Sequence, residues 1–168
     1  MRFTHETSIE KDVYYFFTDG SCWPNPGGPG GWAYVCVKNN IPIRRRSGGL
    51  KKTTTNRAEL YAILHAMIRA TRLGEPCIIV TDSAYCYDGM TKNFSKLRDR
   101  NWNTHSGNEP ARNVDLIKRM LAIYMPYIRF AKVKGHSGIH YNEIADILAG
   151  EQRKRIQKKL IDKTLNSL

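Results

Sequence analysis

Cys77-Ile78-Ile79-Val80-Thr81-Asp82 is an apolar run without alternation, closed by a carboxylate. Such a run reads as a central strand covered on both faces. Working outward, Tyr14-Tyr15-Phe16-Phe17-Thr18-Asp19 repeats the pattern, an apolar strand from Val13 that ends on an acid. Between the two lies a helix from about Asn56 to Leu73, with Leu60, Ile63, Leu64, Met67 and Thr71 as its inward stripe, stopped by Gly74 and Pro76. Trp32–Lys38 and Ile41–Gly48 read as two more strands joined by an Asn39-Asn40 hairpin turn, after a turn-rich loop from Gly20 to Gly31. Short helical stretches follow at Ser83–Thr91 and Phe94–Arg100, then a polar loop, Asn101–Arg112. A helix starts at Asn113, with Leu116, Ile117, Met120 and Leu121 inward; Ile128–Lys134 is the last strand, and a final helix begins near Tyr141. The order predicts an α/β fold: a five-stranded mixed sheet, its first three strands antiparallel, with helices on both faces.

The chain has 168 residues, 41% of them hydrophobic, enough for one domain with a sizeable core. Residues 1–12 read as a polar N-terminal extension, 13–150 as the domain, and 151–168 as a basic helical tail. Twenty-seven Lys and Arg against fifteen Asp and Glu give a net charge of +12, which points to a polyanionic partner. No stretch reaches the roughly 20 apolar residues of a membrane span, and no signal core precedes Val13. Cys22, Cys36, Cys77 and Cys86 lack paired spacing, so a reducing cytoplasm is expected and a zinc site is not. A monomer is the default expectation.

Against that basic background, four acids stand where strands and helices meet: Asp19, Glu59, Asp82 and Asp146. Carboxylates so placed can hold two Mg²⁺ ions, roughly 3.5–4 Å apart, for phosphodiester chemistry. Each acid also has an ordinary reading. Asp19 could begin a turn, Asp82 could cap a helix, and Asp146 could be a solvated charge. Asn56 could cap its helix with Glu59 reaching back to it. His136, between Gly135 and Gly138, can carry a proton near neutral pH, or can simply be a surface loop residue. The set carries the argument rather than any member.

The motifs Thr18-Asp19-Gly20-Ser21-Cys22 with Asn25-Pro26-Gly27, Thr53-Thr54-Thr55-Asn56-Arg57-Ala58-Glu59-Leu60, Thr81-Asp82-Ser83, and Val133-Lys134-Gly135-His136-Ser137-Gly138 with Asn142-Glu143 and Ala145-Asp146 resemble type 1 ribonuclease H in order and spacing. The resemblance covers about Tyr14 to Gly150. It implies a ribonuclease H-like fold and a metal-dependent endoribonuclease that cuts the RNA strand of RNA–DNA hybrids, leaving 5′-phosphate and 3′-hydroxyl ends. It makes Asp19, Glu59, Asp82 and Asp146 ligands of two Mg²⁺ ions, with Mn²⁺ a possible substitute, and His136 a proton-transfer residue. Cys22, Asn25, Thr55 and Asn56 would touch the hybrid, and Thr54 and Asn113 would form a pocket for a DNA phosphate.

Where relatives carry a basic, Trp-rich handle, Lys92–Arg112 retains Lys92, Lys96, Arg98, Arg100 and Arg112 but only one indole, Trp102. It reads as a diluted substrate clamp. The basic tail and the run Arg44-Arg45-Arg46 read as a solvated helix extension and an exposed strand edge, with nucleic-acid contact open for both. Two rival readings share these features: a DNA-cutting recombinase, resolvase or transposase of the same fold, and a catalytically silent hybrid-binding module.

Overall fold

The computed structural model describes residues 1–4, 7–107 and 109–167. Its strands are β1 (Arg2–Phe3), β2 (Tyr14–Cys22), β3 (Gly30–Lys38), β4 (Ile41–Leu50), β5 (Cys77–Thr81) and β6 (Ile128–Val133). Its α-helices are α1 (Thr55–Leu73), α2 (Ala84–Asp88), α3 (Phe94–Asp99), α4 (Val114–Ile123) and α5 (His140–Leu165), with a π-helical turn at Gly89–Asn93 between α2 and α3. The sheet order is β1-β6-β5-β2-β3-β4. β2, β3 and β4 form an antiparallel meander, while β5 runs parallel to β2, β6 to β5, and β1 to β6.

The fold class is the one expected, with one strand added. β1, in the segment read as a polar extension, places Arg2 opposite Lys132 and Phe3 opposite Val133. Phe3 is buried, its ring edge-on to Tyr15 and Phe17 at 5.8 and 5.4 Å. The Asn39-Asn40 turn is present, with φ of 51° and 63°, the paired positive values of a tight hairpin. β2 and β3 run further than expected, because Gly20, Ser21 and Cys22 keep pairing with Trp32, Gly31 and Gly30.

The sheet is buried on both faces, so Phe16 and Phe17 can be adjacent and both inside. Phe16, Tyr34 and Ile79 pack under α1 and α4 with Leu60, Ile63, Met67, Leu116 and Ile117. Tyr15, Phe17, Ile78, Val80 and Val133 pack on the other side with Ile139 and Ala145 of α5. α5 runs unbroken through Gly150 to Leu165, so the basic tail is the second half of one helix. Arg153, Ile156, Gln157 and Leu160 keep one stripe of it half-buried.

The close approach of helix to sheet that matters for the acids falls at Gly20. A Cβ there would stand 2.2 Å from the backbone nitrogen of Glu59 and 2.5 Å from the carbonyl carbon of Ala58. Backbone cannot yield as a side-chain tip can, so α1 would have to lift from β2. Gly20→Ala should therefore destabilise the protein by about 1–3 kcal/mol. Thermal unfolding is expected to show a Tm several degrees lower; an unchanged Tm would mean that α1 and β2 are not in backbone contact at this point.

Candidate active site

Three elements deliver the acids to one place. Asp19 lies within β2, and its Oδ1 accepts the Gly20 N–H at 2.7 Å. Glu59 lies near the start of α1, which the Gly20 contact holds against the same strand. Asp82 follows β5, the parallel neighbour of β2. One carboxylate oxygen from each of Asp19, Glu59 and Asp82 falls within 4.8 Å of the others. A second glycine packs here: a Cβ on Gly135 would approach Oδ2 of Asp82 to 2.8 Å and turn that carboxylate aside. Asp146 of α5 lines the same cleft outside that tight trio, and its Oδ2 is 3.6 Å from Nδ1 of His136. The cleft, about 490 Å³, also includes Thr55 and Asn56.

Gathering acids in a partly dry cleft has an electrostatic cost. Burial, then the charge of Asp82, pushes the Asp19 carboxyl up to about 7. Burial, then Asp19 and Asp82, raises Glu59 well above the carboxylate range. The two carboxyls oppose each other's ionisation, so they resist carrying charge together. Asp82 is raised by burial first and then by Asp146. Oε2 of Glu59 is buried without a hydrogen-bond partner. Convergent hard oxygens, one of them orphaned, with carboxyls that resist ionising side by side, fit a divalent cation.

The RNase H family matches residues 11–154. A ribonuclease H of Methylococcus capsulatus is 40% identical over 145 residues, covering 84% of this chain and 90% of its own. The crystal structure of LC9-RNase H1, a type 1 RNase H, superposes with a TM-score of 0.73 at 24% identity, covering 88% of this chain and 75% of that one. LC11-RNase H1, solved in complex with an RNA/DNA hybrid, gives a TM-score of 0.66 at 18% identity, covering 84% and 97%. The chain belongs to the ribonuclease H family. It is accordingly a ribonuclease H enzyme, and its sheet and helices are those of the ribonuclease H fold.

The remaining sequence-predicted residues of this ribonuclease H divide by position. Asn25 holds the start of α1 by accepting the Thr55 N–H at 3.0 Å. Thr54, rather than Asn56, caps the helix, its hydroxyl accepting the Arg57 N–H at 3.2 Å. Glu59 is therefore free of a capping role and turns to Asp19. Cys22 is buried, and its thiol lies within hydrogen-bonding reach of the carbonyls of Pro24, Gly28 and Thr53, where the loop between β2 and β3 meets the approach of α1. Asn113, at φ 60°, caps α4 and is joined to the Thr54 region through Arg57, whose Nη1 donates to Asn113 Oδ1 at 3.3 Å. Trp102 is away from the acid cleft, half-buried with the Lys118 ammonium 4.7 Å from its ring centroid. Lys96, Arg98 and Arg100 of the handle are exposed, whereas Lys92 pairs with Asp88 at 3.0 Å.

Two residues escaped the sequence reading. Arg57 pairs with Asp115, one contact being 2.8 Å, and so links α1 to α4; its place inside the Asn56-Arg57-Ala58-Glu59 motif was the available signal. Arg153 donates from Nε to Oγ of Ser21 at 3.1 Å, two residues past Asp19 on β2. Nothing local in the tail's sequence announces that contact.

A folded-state pKa above the unfolded one means stability that is full below the unfolded value and is lost as pH rises through the folded value. For Asp19 that window runs from 3.8 to about 7. In metal-free buffer, Asp19→Asn should gain Tm over the parent as pH rises through this window, and added divalent cation should narrow the gap. Paired melting curves across the window check this; a gap independent of both pH and cation would contradict the electrostatic account.

Proposed function

We propose that this ribonuclease H hydrolyses the RNA strand of RNA–DNA hybrids endonucleolytically, with two Mg²⁺ ions held by Asp19, Glu59, Asp82 and Asp146. The observation that carries this reading is the meeting of three carboxylates within 4.8 Å in a cleft shared with Asp146 and His136. The cations would help ionise an attacking water and offset the charge that builds on the phosphate. Mn²⁺ has the same preference for hard oxygen ligands and can substitute.

The residues themselves orient the reaction. Water adds to phosphorus and the bond to the ribose 3′-oxygen breaks, leaving a 5′-phosphate on one fragment and a 3′-hydroxyl on the other. His136 is 86% exposed at the mouth of the cleft and stands beside Asp146, positioned to move a proton between the reacting phosphate and solvent. Asn25, Thr55 and Asn56 border the groove where 2′-hydroxyls distinguish RNA from DNA, with Cys22 holding the loop beneath. Thr54, Arg57 and Asn113 form a polar corner for a phosphate of the DNA strand. Lys96, Arg98 and Arg100, with Trp102 behind them, supply further backbone contacts.

Arg153 extends this surface. It lies seven residues beyond Asp146, two turns along the same face and about 10 Å down the axis of α5. Its Nε is anchored on Ser21, and no protein acceptor engages its terminal nitrogens among the described residues. That guanidinium is placed to hold a phosphate of the RNA strand near the cut.

Cleavage of an end-labelled hybrid, beside single-stranded RNA, duplex RNA, duplex DNA and a four-way junction, tests the assignment. Cutting of the hybrid's RNA strand alone, dependent on Mg²⁺ or Mn²⁺, is expected; DNA cutting would favour the recombinase class instead. Asp19→Asn should lose at least about 10³-fold in kcat, corresponding to roughly 4 kcal/mol, while still binding hybrid. Retained cleavage in that variant would remove the acid cluster from the mechanism. Arg153→Ala should raise KM with little change in kcat and make the log–log salt dependence of binding shallower by about 1. An unchanged KM together with an unchanged salt slope would confine Arg153 to its contact with Ser21.

A further inference from the structure

On the far side of α1 from its catalytic end, four arginines converge on one small cavity. Arg44 and Arg46 are two residues apart on β4 and share a face; Arg46 lies opposite Tyr34 on β3. His65, Arg69 and Arg72 follow the spacing of a single stripe on α1. The strand face and the helix stripe together enclose about 50 Å³. A space of this size suits a small group rather than an extended one.

The chemistry of the walls is one-sided. Guanidinium groups only donate hydrogen bonds, and no acidic side chain lines the cavity. Among the described residues, none of these four arginines has an ion pair or a side-chain hydrogen bond. Two arginines elsewhere are neutralised by acids, Arg57 by Asp115 and Arg129 by Glu10; the four here are instead gathered around one space. His65 is stacked on Trp32, ring centroids 4.0 Å apart and planes 7° from parallel, and its Nδ1 is buried without a partner. Burial, then the charges of Arg46 and Arg119, lowers its pKa to about 4, so the ring is neutral and adds one N–H rather than a fifth charge.

Protection of an exposed sheet edge would explain arginines on β4 alone. It would not explain two more arriving from α1, nor a buried imidazole nitrogen in the same wall. Four like charges around a donor-lined space repel one another until an anion enters.

We propose that this cavity is a phosphate-binding site, separate from the catalytic cleft. His65 and Arg72 lie six and thirteen residues beyond Glu59, about 9 and 20 Å along α1, so the bound group is not the scissile phosphate. It is either a free phosphate compound or a backbone phosphate of a nucleic acid long enough to reach around the protein. Binding of inorganic phosphate can be tested independently of the nuclease assignment; only the hybrid measurement rests on that assignment.

The experiment uses the full chain and the double variant Arg44→Gln/Arg69→Gln, neither residue belonging to the catalytic machinery. Inorganic phosphate, titrated at constant ionic strength against chloride and against succinate, is followed by amide NMR at Tyr34, His65 and Arg69 and by Tm. Saturable phosphate shifts at these positions and a phosphate-dependent rise in Tm are expected, both lost in the variant. Cleavage of a short hybrid should be unchanged, which also shows that the variant is folded. If the source is nucleic acid, binding of a long hybrid will in addition lose about 0.9 from its log–log salt slope per phosphate contact removed. If the source is free phosphate, that slope will stay as it is while the phosphate effects vanish. Absence of phosphate shifts, or an equal response to chloride or succinate, would overturn the site.

Discussion

The seat of α1 on β2 at Gly20 is the contact on which the rest of the site depends. Glu59 can stand beside Asp19 only if helix and strand touch backbone to backbone, and only a residue without a side chain permits that. The acids do not draw this contact together, because in the absence of cations their mutual effect is repulsive. The drawing force comes from elsewhere on the same helix. Leu60, Ile63, Leu64 and Met67 are buried against the sheet, each worth about 1.5–3 kcal/mol when removed from water. The core therefore holds the carboxylates where they do not ionise freely, and the strain is available to be relieved by a cation.

The charge distribution separates two tasks. Excess Lys and Arg favours a polyanion over the molecule as a whole, while the acid cleft gathers negative charge in a place that suits a cation. Within the basic set, pairing distinguishes structural arginines from available ones. Arg57 and Arg129 hold elements together through Asp115 and Glu10. Arg153 spends one nitrogen on Ser21, and the cluster of Arg44, Arg46, Arg69 and Arg72 engages no acid. Charge count alone would treat all of these alike; geometry does not.

What was legible in the sequence follows from how local each signal is. Cys77–Thr81 is buried at every position, as an unbroken apolar run demands, and the hairpin at Asn39-Asn40 needed only two residues able to take positive φ. The acids were legible as a set because motif spacing reports which strand or helix end each one occupies. Less local features were hidden. β1 is two residues long, and its pairing with β6 spans almost the whole chain. β2 continues past Asp19 because a ladder on each strand's own partner outweighs the turn preference of its glycines. Thr54 won the cap over Asn56 because Asn25, thirty residues away, already fixes the backbone at Thr55. The arginine cavity required the register of β4 against β3, which residue patterns do not specify.

The length of α5 gives the last of these non-local features its meaning. A helix that ended soon after Asp146 would place that acid and nothing more. This one continues, and its regular repeat returns Arg153 to the same face two turns later, over Ser21 on the strand that bears Asp19. Sheet and helix then fix an acid pair and a cation at set separations: Asp19 and Ser21 two residues apart on a strand, about 7 Å, and Asp146 and Arg153 two helical turns apart. The acids and the guanidinium stand side by side at this end of the molecule. The basic tail is thus a rigid continuation of the active-site helix, and its first contribution is made through a hydrogen bond within the domain.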